Sequence, residues 1–239
     1  ILVGDDQSTA VQILGLLLND ALDNQGKTIT FSERAAKVSD LSIETLSTLI
    51  ADGKVEDLLI LGGNPAYDAP ADLKFAEKIK SLNAIHLTSH FNETSIASKV
   101  AVPKAHFLEY WGDTRSADGT ANIIQPLIAP LFGAVSDAEL LAKLIQSEQT
   151  KGIELVKATY KLEGPAWEKA VHGSTLSDTA YKTSKVSFKA SKAIANLEAV
   201  EVYKAGFEVV FKADYSLLDG SYNNIAWMQE FPDPITKLT

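Results

Sequence analysis

Apolar and polar residues alternate in blocks along the first part of the chain, and the blocks predict strands that are each followed by a helix. Five short apolar runs are predicted strands: 1–4, 27–31, 57–61, 84–88 and 100–102. Four stretches with apolar residues at helical spacing are predicted helices: 11–22, 42–51, 70–80 and 137–146. Strands that are apolar throughout are typical of a sheet covered on both faces. The pattern predicts an α/β fold with a mostly parallel sheet, in which the first four strands lie side by side, and helices on both faces.

The alternation of strands and helices is lost beyond residue 150. Two short helices are predicted at 151–160 and 167–171, and the Ser-, Thr- and Lys-rich stretch 173–193 is predicted to be a solvated connector. In 198–212 apolar and polar residues alternate, which predicts a hairpin or two edge strands outside the first sheet. We therefore predict three regions: an α/β domain at 1–150, a helical or irregular connector at 151–197, and the beginning of a β-rich domain at 198–239.

The acidic excess of the chain is confined to the predicted α/β domain. The formal charge is −9, and residues 1–150 hold 11 of the 22 basic but 20 of the 31 acidic side chains. This balance argues against a nucleic-acid binder, which needs a basic surface. The chain has no cysteine, so it cannot supply thiolate ligands for zinc or for an iron–sulfur cluster. It also has no apolar run of about 18 residues, so we expect no direct insertion into a membrane.

A glycine-rich turn is the most informative local feature. Gly62-Gly63-Asn64-Pro65 directly follows a predicted buried strand and therefore lies at the carboxyl edge of the sheet, where open α/β sheets bind ligands. Glycine amides can approach a phosphate closely, and asparagine offers both a donor and an acceptor. The alternative interpretation is a tight turn that requires positive φ angles. The turn is not a Gly-x-Gly-x-x-Gly motif, which disfavours a standard NAD or FAD site.

Two further groups of polar residues are candidates for chemistry. His86 and His90 can share one strand face, with Glu93 as the only close additional metal ligand, so a structural role is favoured over a metal site. Arg115 lies between Asp113 and Asp118 in one loop. A structural ion pair is favoured there over an acid/base pair. The sequence predicts no catalytic residue and no metal ligand.

Three segments of the chain resemble the molybdopterin oxidoreductase superfamily. They are Asp57–Pro70, with the core LLILGGNPAYDAP; His86–Pro103; and Phe107–Pro130, which reads FLEYWGDTRSADGTANIIQPLIAP. In that superfamily a strand leads into a Gly-x-Asn-Pro loop, and a Glu-x-x-Gly-Thr-x-x-Asn-x-Glu-Gly-Arg stretch comes later. Within it, the chain is most similar to the iron–sulfur B subunits of bacterial alternative complex III, which oxidises quinol. The resemblance extends over nearly the whole chain and is most specific at 57–130.

The resemblance implies a fold and a cellular setting. The fold is a Rossmann-like α/β domain followed by the opening of a β-domain. The setting is the periplasmic side of a membrane-associated respiratory complex, with the other domains of the parent protein and other subunits as partners. Iron–sulfur clusters are then expected only in the rest of that parent. The chain opens directly on an apolar run, so we expect it to be an internal piece of a longer protein.

The resemblance also assigns cofactor-binding positions and suggests that they are vestigial. The equivalent positions are Gly62, Gly63, Asn64, Pro65, Glu109, Gly119 and Asn122. Two departures weaken the cofactor site, because Ser98-Lys99 replaces an Ala-Asp pair and 123–125 lacks the Glu-Gly-Arg segment. B subunits of alternative complex III likewise have the fold without a molybdopterin cofactor.

The leading hypothesis is therefore a cofactor-free structural and docking domain of a quinol:acceptor electron-transfer complex. Two alternatives stay open: a domain that binds molybdopterin guanine dinucleotide in a catalytic molybdenum oxidoreductase, and an unrelated α/β domain that binds a small ligand.

Overall fold

The computed structural model describes residues 1–33, 41–189, 206, 207, 209 and 211–237. Its helices are α1 (Thr9–Ala21), α2 (Ile43–Ala51), α3 (Pro65–Asp68), α4 (Phe75–Lys80), α5 (Glu93–Ala97), α6 (Asp137–Leu144), α7 (Gly152–Tyr160), α8 (Gly164–Gly173) and α9 (Ala226–Gln229). Its strands are β1 (Phe31–Ser32), β2 (Asp57–Leu61), β3 (Asn83–Thr88), β4 (Val100–Pro103), β5 (Gly112–Arg115), β6 (Ala121–Ile124) and β7 (Thr183–Ser184). The protein is thus a mixed α/β protein.

The described residues form two compact units. The smaller unit consists of the described residues within 1–37, 115–120 and 177–209, and the larger unit of those within 38–114, 121–176 and 210–239. The three regions predicted from the sequence, with boundaries at residues 150 and 197, are a different kind of division from these contact-based units. They stay a prediction.

A three-stranded parallel sheet is the centre of the larger unit. Its order is β2-β3-β4, with Leu59 opposite Ile85 and Ile85 opposite Val100. The central strand β3 is the most buried of the three, and Leu87 within it has no exposed surface. The parallel arrangement of 57–61, 84–88 and 100–102 is confirmed.

The helices of the larger unit bury apolar residues against this sheet. Ser42 begins α2 by accepting a hydrogen bond from the Thr45 amide at 3.3 Å, as the sequence predicts. Ile50 of α2 then packs with Phe75 and Ile79 of α4 in one core cluster. Ile79 is fully buried, which stabilises the fold by about 2 kcal/mol relative to an exposed side chain.

A second core in the larger unit lies under β6, α7 and α8. Ala121 and Ile123 of β6 pack with Val156 of α7, and the rings of Trp111 and Trp167 lie 5.3 Å apart beside them. No strand is predicted from the sequence between residues 103 and 135, where β5 and β6 form a two-stranded sheet.

The smaller unit contains α1, β1 and β7. Ser8 caps α1 by accepting from the Val11 amide, and β1 pairs antiparallel with β7, with Phe31 opposite Ser184. The predicted strands at 1–4 and 27–31 are wrong, because 1–4 forms no strand and only Phe31 of 27–31 lies in one. An apolar run becomes a strand only where a neighbouring strand satisfies its backbone groups.

Two further predictions differ from the structure. The expected helix from Pro70 to Lys80 is a short 3₁₀ turn and then α4, separated by Lys74 with a left-handed φ of 47°. The β-rich domain is not shown: most of 198–210 lies outside the described residues, and within 211–237 the structure has turns, one isolated bridge from Asp214 to Leu218, and α9. Within the described ranges, no helix combines the length and the apolar character needed to cross a bilayer.

Candidate functional site

The glycine turn lies where the sequence placed it, at the carboxyl end of β2. Gly62 has a φ of +83° and Gly63 a φ of +74°, both in the left-handed region that favours glycine. The Gly62 amide still donates to the Leu87 carbonyl at 2.8 Å, so the ladder between β2 and β3 continues into the turn. Pro65 then occupies the first turn of α3. The backbone geometry alone explains both glycines.

The side chain of Asn64 is engaged on both of its polar atoms. Its Oδ1 accepts hydrogen bonds from the Thr94 amide at 3.1 Å and from the Thr94 hydroxyl at 2.8 Å. Its Nδ2 donates to the Glu93 carboxylate at 2.7 Å. Thr94 is fully buried and its hydroxyl accepts from the Ala66 amide at 2.9 Å, which ties α3 to α5. Asn64 therefore joins the turn to the amino end of α5.

His86 supports the same turn from inside the sheet. Its side chain is fully buried, with Nδ1 3.0 Å from the Ser95 hydroxyl and Nε2 3.2 Å from the Gly63 carbonyl. Burial lowers the pKa of this histidine because it disfavours the charged imidazolium, and the Gly63 carbonyl opposes that effect in part. His90, in contrast, is exposed and contacts Ser89. The geometry of His86 is that of a structural histidine, as the sequence favoured.

A lysine beside the turn is already paired. The Lys104 ammonium lies 2.7 Å from the Asp137 carboxylate at the start of α6, and 3.5 Å from the position that a Cβ on Gly62 would take. The second carboxylate oxygen of Asp137 is buried without a hydrogen-bond partner among the described residues. The positive charge nearest the turn is thus held by a carboxylate of the chain itself.

The remaining family-equivalent positions bond elsewhere. The Glu109 carboxylate accepts from the His106 amide at 2.9 Å, and the Asn122 side chain accepts from the Thr175 hydroxyl at 3.0 Å. Gly119 lies in the smaller unit with a φ of +88°, and a Cβ on it would stand 2.5 Å from the Tyr181 ring. The structure therefore brings together Gly62, Gly63, Asn64 and Pro65, and gives Glu109 and Asn122 other local partners.

The predicted ion pair of Arg115 is wrong. Its guanidinium donates to the backbone carbonyls of Gly119 at 2.6 Å and Thr179 at 3.0 Å, and no ion pair among the described residues includes it. Asp113 instead accepts from the Tyr160 hydroxyl, and Asp118 accepts from the Thr120 amide. Hydrogen bonds to backbone groups hold this loop as a turn. The structure supports neither an ion pair of Arg115 nor an acid/base pair.

The residues at this edge of the sheet do not fit a bound pyrophosphate. The hydrogen bond from Asn64 lowers the pKa of Glu93, so a carboxylate lies beside the turn at neutral pH. The side-chain amide of Asn64 already donates to that carboxylate, and the Lys104 charge is offset by Asp137. A phosphate there would meet the negative charge of Glu93, with the nearby positive charge of Lys104 already offset.

Sequence reasoning missed the partners of the turn. Glu93 was considered only as a metal ligand, and Thr94 and Ser95 were not considered at all. A signal was present, because Asn92 and Ser95 have the spacing of a helix cap and form a reciprocal capping box at the start of α5. What the sequence does not display is the contact between Asn64 and Thr94, which are 30 positions apart.

Comparisons with known proteins add no relative. Neither the profiles of known protein families nor the curated proteins give a match to this sequence. Among the described residues, no group of three or more His, Cys, Asp or Glu side chains is arranged to hold a metal ion.

Proposed function

We propose that this chain is a cofactor-free structural and docking domain of a membrane-associated quinol:acceptor electron-transfer complex. In this role the domain has a Rossmann-like architecture of the molybdopterin oxidoreductase type and faces the periplasm. It contacts other domains of its parent protein and other subunits, and it carries no redox centre of its own. Electrons then pass through cofactors held elsewhere in the complex.

The sequence supports this proposal through the resemblance at 57–130. The Gly-x-Asn-Pro loop is present, and Gly119-Thr120 is followed by Asn122 with one intervening residue where the superfamily stretch has two; the Glu-Gly-Arg segment is missing after Asn122. An arginine at that place would offer a planar, permanently charged donor to a phosphate. Its loss removes the cofactor contact while the scaffold around it is kept.

The observation that carries the proposal is the hydrogen bonding of Asn64. Both of its polar atoms are hydrogen-bonded, to Glu93 and to Thr94. The turn that would hold a cofactor therefore joins α3 to α5. A binding site keeps its donors free or bound to water until the ligand arrives. In this turn the donors stabilise the domain itself.

One alternative has an observation in its favour. Gly62 and Gly63 lie at the carboxyl edge of a parallel sheet, which is where α/β proteins bind nucleotides. In a molybdenum oxidoreductase the turn would approach the guanine dinucleotide of the cofactor, and Glu93 would then have to move away from Asn64.

The test is a purification of the intact protein that contains this chain, together with whatever is bound to it, from the organism that encodes it. We expect the intact protein to hold iron–sulfur clusters outside this chain and other subunits to copurify with it, and we expect quinol to reduce the redox centres of the preparation. We also expect neither molybdenum nor, after oxidation, a fluorescent pterin in stoichiometric amount. The same preparation from a strain with an untagged protein is the control.

Three outcomes are distinguishable. Copurifying redox subunits without molybdenum or pterin support the proposal. Stoichiometric molybdenum and pterin overturn it in favour of the molybdenum enzyme. A protein that purifies alone, without redox centres, overturns it in favour of the unrelated α/β ligand-binding domain.

A further inference from the structure

Six large apolar side chains of two segments that are joined by backbone hydrogen bonds are exposed in the larger unit, and we call them together the apolar face. The face consists of Phe107, Leu108, Leu127, Ile128, Leu131 and Phe132, whose exposed fractions range from 36% for Leu108 to 92% for Phe132. Together they expose an area on the order of 600 Å², which is at the upper end for the largest apolar patch of a soluble monomer. A patch of this size costs free energy in water unless a partner covers it.

Backbone hydrogen bonds join the two segments of the apolar face. The amides of Leu127 and Ile128 donate to the Leu108 carbonyl at 2.8 and 3.2 Å. At the other end of the loop, the Val135 amide donates to the Pro103 carbonyl at 3.1 Å, and the Val135 carbonyl accepts from Ala105 at 2.9 Å. The loop 125–135 is therefore fastened at both ends to the segment after β4. The backbone of the loop is thus held in place before any partner arrives, which lowers the entropy lost on binding.

The backbone at Phe132 is strained, and the ring of this residue is exposed. Phe132 has a φ of +55° and Gly133 follows with a φ of +67°. A positive φ is uncommon for a bulky residue and costs of order 1–3 kcal/mol. Ala134 closes this turn by donating to the Leu131 carbonyl at 2.9 Å. Strain that exposes an aromatic ring is a feature of binding sites rather than of stable cores.

The charges next to the apolar face are mainly negative. The segments 103–109 and 125–139 contain one lysine, Lys104, and three carboxylates, Glu109, Asp137 and Glu139. Asp137 neutralises Lys104 through their 2.7 Å ion pair. The Glu139 carboxylate is engaged with Ser136 and the Gly152 amide, so the remaining negative charge beside the face is that of Glu109, which directly follows Leu108.

We propose that the apolar face binds a protein partner whose contact surface is apolar at its centre and carries lysine or arginine at its rim. Opposite charges at the rim of such an interface speed association and select the partner. The proposal deepens the docking role proposed above and rests on it for the identity of the partner as a subunit of the same complex. The face itself, and the chemistry of what covers it, follow from the exposure and charge of these two segments.

A lipid bilayer and a second copy of the chain fit the charges beside the apolar face less well than the proposed protein partner does. Loops that enter anionic bilayers combine apolar side chains with free lysine or arginine, whereas the only lysine beside this face is paired. A second copy of the chain related by a two-fold axis would bring the acidic rims of both copies together. Both occupants are outcomes of the experiment below.

The experiment places a photoreactive benzoylphenylalanine at position 132 of the intact protein in its own host. The matched control carries the same group at position 91, because Phe91 is also an exposed phenylalanine of the larger unit, at 75%. After irradiation, mass spectrometry identifies the crosslinked peptide. We expect position 132 to crosslink to one protein, at a surface with apolar residues flanked by lysine or arginine, and position 91 to give no such product.

Binding of the identified partner, purified, is then measured with substituted proteins. We expect Leu131→Ser with Phe132→Ser to raise the Kd at least about tenfold, and Phe91→Ser with Ile96→Ser to leave it within about twofold. Glu109→Gln keeps an oxygen that can accept from the His106 amide and should weaken binding at low salt more than at high salt. Circular dichroism checks that each variant is folded.

Several results overturn the proposal. These are a crosslink to lipid with flotation on vesicles of phosphatidylcholine and phosphatidylglycerol, a crosslink to a second copy, no crosslink at all, or equal loss of binding in the control pair. If redox subunits copurify but position 132 crosslinks to none of them, the proposed function stands and this face is wrong. If the crosslinked partner has the expected surface but belongs to no redox complex, the face stands and the proposed function fails.

Discussion

Similar apolar side chains are buried in the parallel sheet region of the larger unit but largely exposed along helix α1 of the smaller unit. In the sheet region, Leu87 and Ile79 have no exposed surface. Along α1, Leu14, Leu18 and Leu22 expose 43, 51 and 60% of their surface. Both regions have short apolar runs and an amphipathic helix, so the difference lies in what surrounds them.

The sheet region is layered, whereas little of the described part of the chain packs against α1. β3 has a strand on each side, and α4 and α5 contact it, so its side chains are enclosed. α1 is anchored mainly by a polar group, since the buried Asn19 bonds to the Ile1 carbonyl at 2.8 Å and to the Gly15 carbonyl at 2.9 Å. Apolar residues stabilise a fold in proportion to the surface that neighbours remove from water.

The largest expected effect tests this comparison directly. We expect Leu87→Ala to lower the free energy of unfolding by about 3 kcal/mol, because it leaves a cavity in an enclosed site. Leu18→Ala removes the same atoms from a half-exposed site and should change it by less than about 0.5 kcal/mol. Urea unfolding followed by circular dichroism measures both. Equal losses in the two variants would mean that α1 is as well packed as the sheet.

A second pair of variants compares the polar anchors of the two regions. Asn64→Ala should lower the free energy of unfolding by about 2 kcal/mol, because the amide and hydroxyl of the fully buried Thr94 lose their acceptor. Asn19→Ala removes a side chain that also makes several hydrogen bonds, but its partner Ile1 is 53% exposed and can bond to water instead. We expect a cost of about 1 kcal/mol or less there. A larger loss for Asn19 would reverse the comparison.

The elements that could be predicted from the sequence are those whose signal is local. The helices predicted at 42–51 and 137–146 and the strands predicted at 57–61 and 84–88 lie where the structure has α2, α6, β2 and β3. The run at 1–4 has the same character as 57–61 but forms no strand, because strand formation depends on a partner that a local pattern does not specify.

The candidate site was predictable in its backbone and not in its side-chain contacts. The Gly-Gly-Asn-Pro turn follows from residue types that allow positive φ and begin a helix. The contacts of Asn64 with Thr94 and of Lys104 with Asp137 join residues about 30 positions apart, and either pair is an ordinary choice for a solvated surface. Only the folded arrangement shows that they occupy the turn.

A third comparison uses two glycines of the larger unit. Gly62→Ala should cost about 1–2 kcal/mol, because alanine is strained at a φ of +83°. Gly173 ends α8 without a positive φ and with open space around its Cα, so Gly173→Ala should be neutral or slightly stabilising. Thermal unfolding of the two variants gives the difference. A neutral Gly62→Ala would show that the turn relaxes without its left-handed backbone.

The smallest expected effect is a dependence on pH that belongs to the sheet region alone. The pKa of His86 is lowered by burial, so below about pH 6.5 the unfolded chain binds a proton that the folded protein resists. Stability is therefore fully present above that pH and falls as the pH drops toward the lowered pKa, by at most about 1.4 kcal/mol per pH unit.

Residues 1–33 contain no histidine, and all three tryptophans lie in the same unit as His86, so tryptophan fluorescence during urea unfolding reports the relevant region. Between about pH 7.5 and pH 5.5 we expect the loss in the parent protein to exceed that in His86→Gln, whose side chain does not titrate. His90→Gln is the matched control, because His90 is exposed and its substitution should leave the pH dependence unchanged. If His86→Gln keeps the full pH dependence, the protonation that destabilises the sheet occurs at another group, and the bonds from His86 to Gly63 and Ser95 are not what resists it.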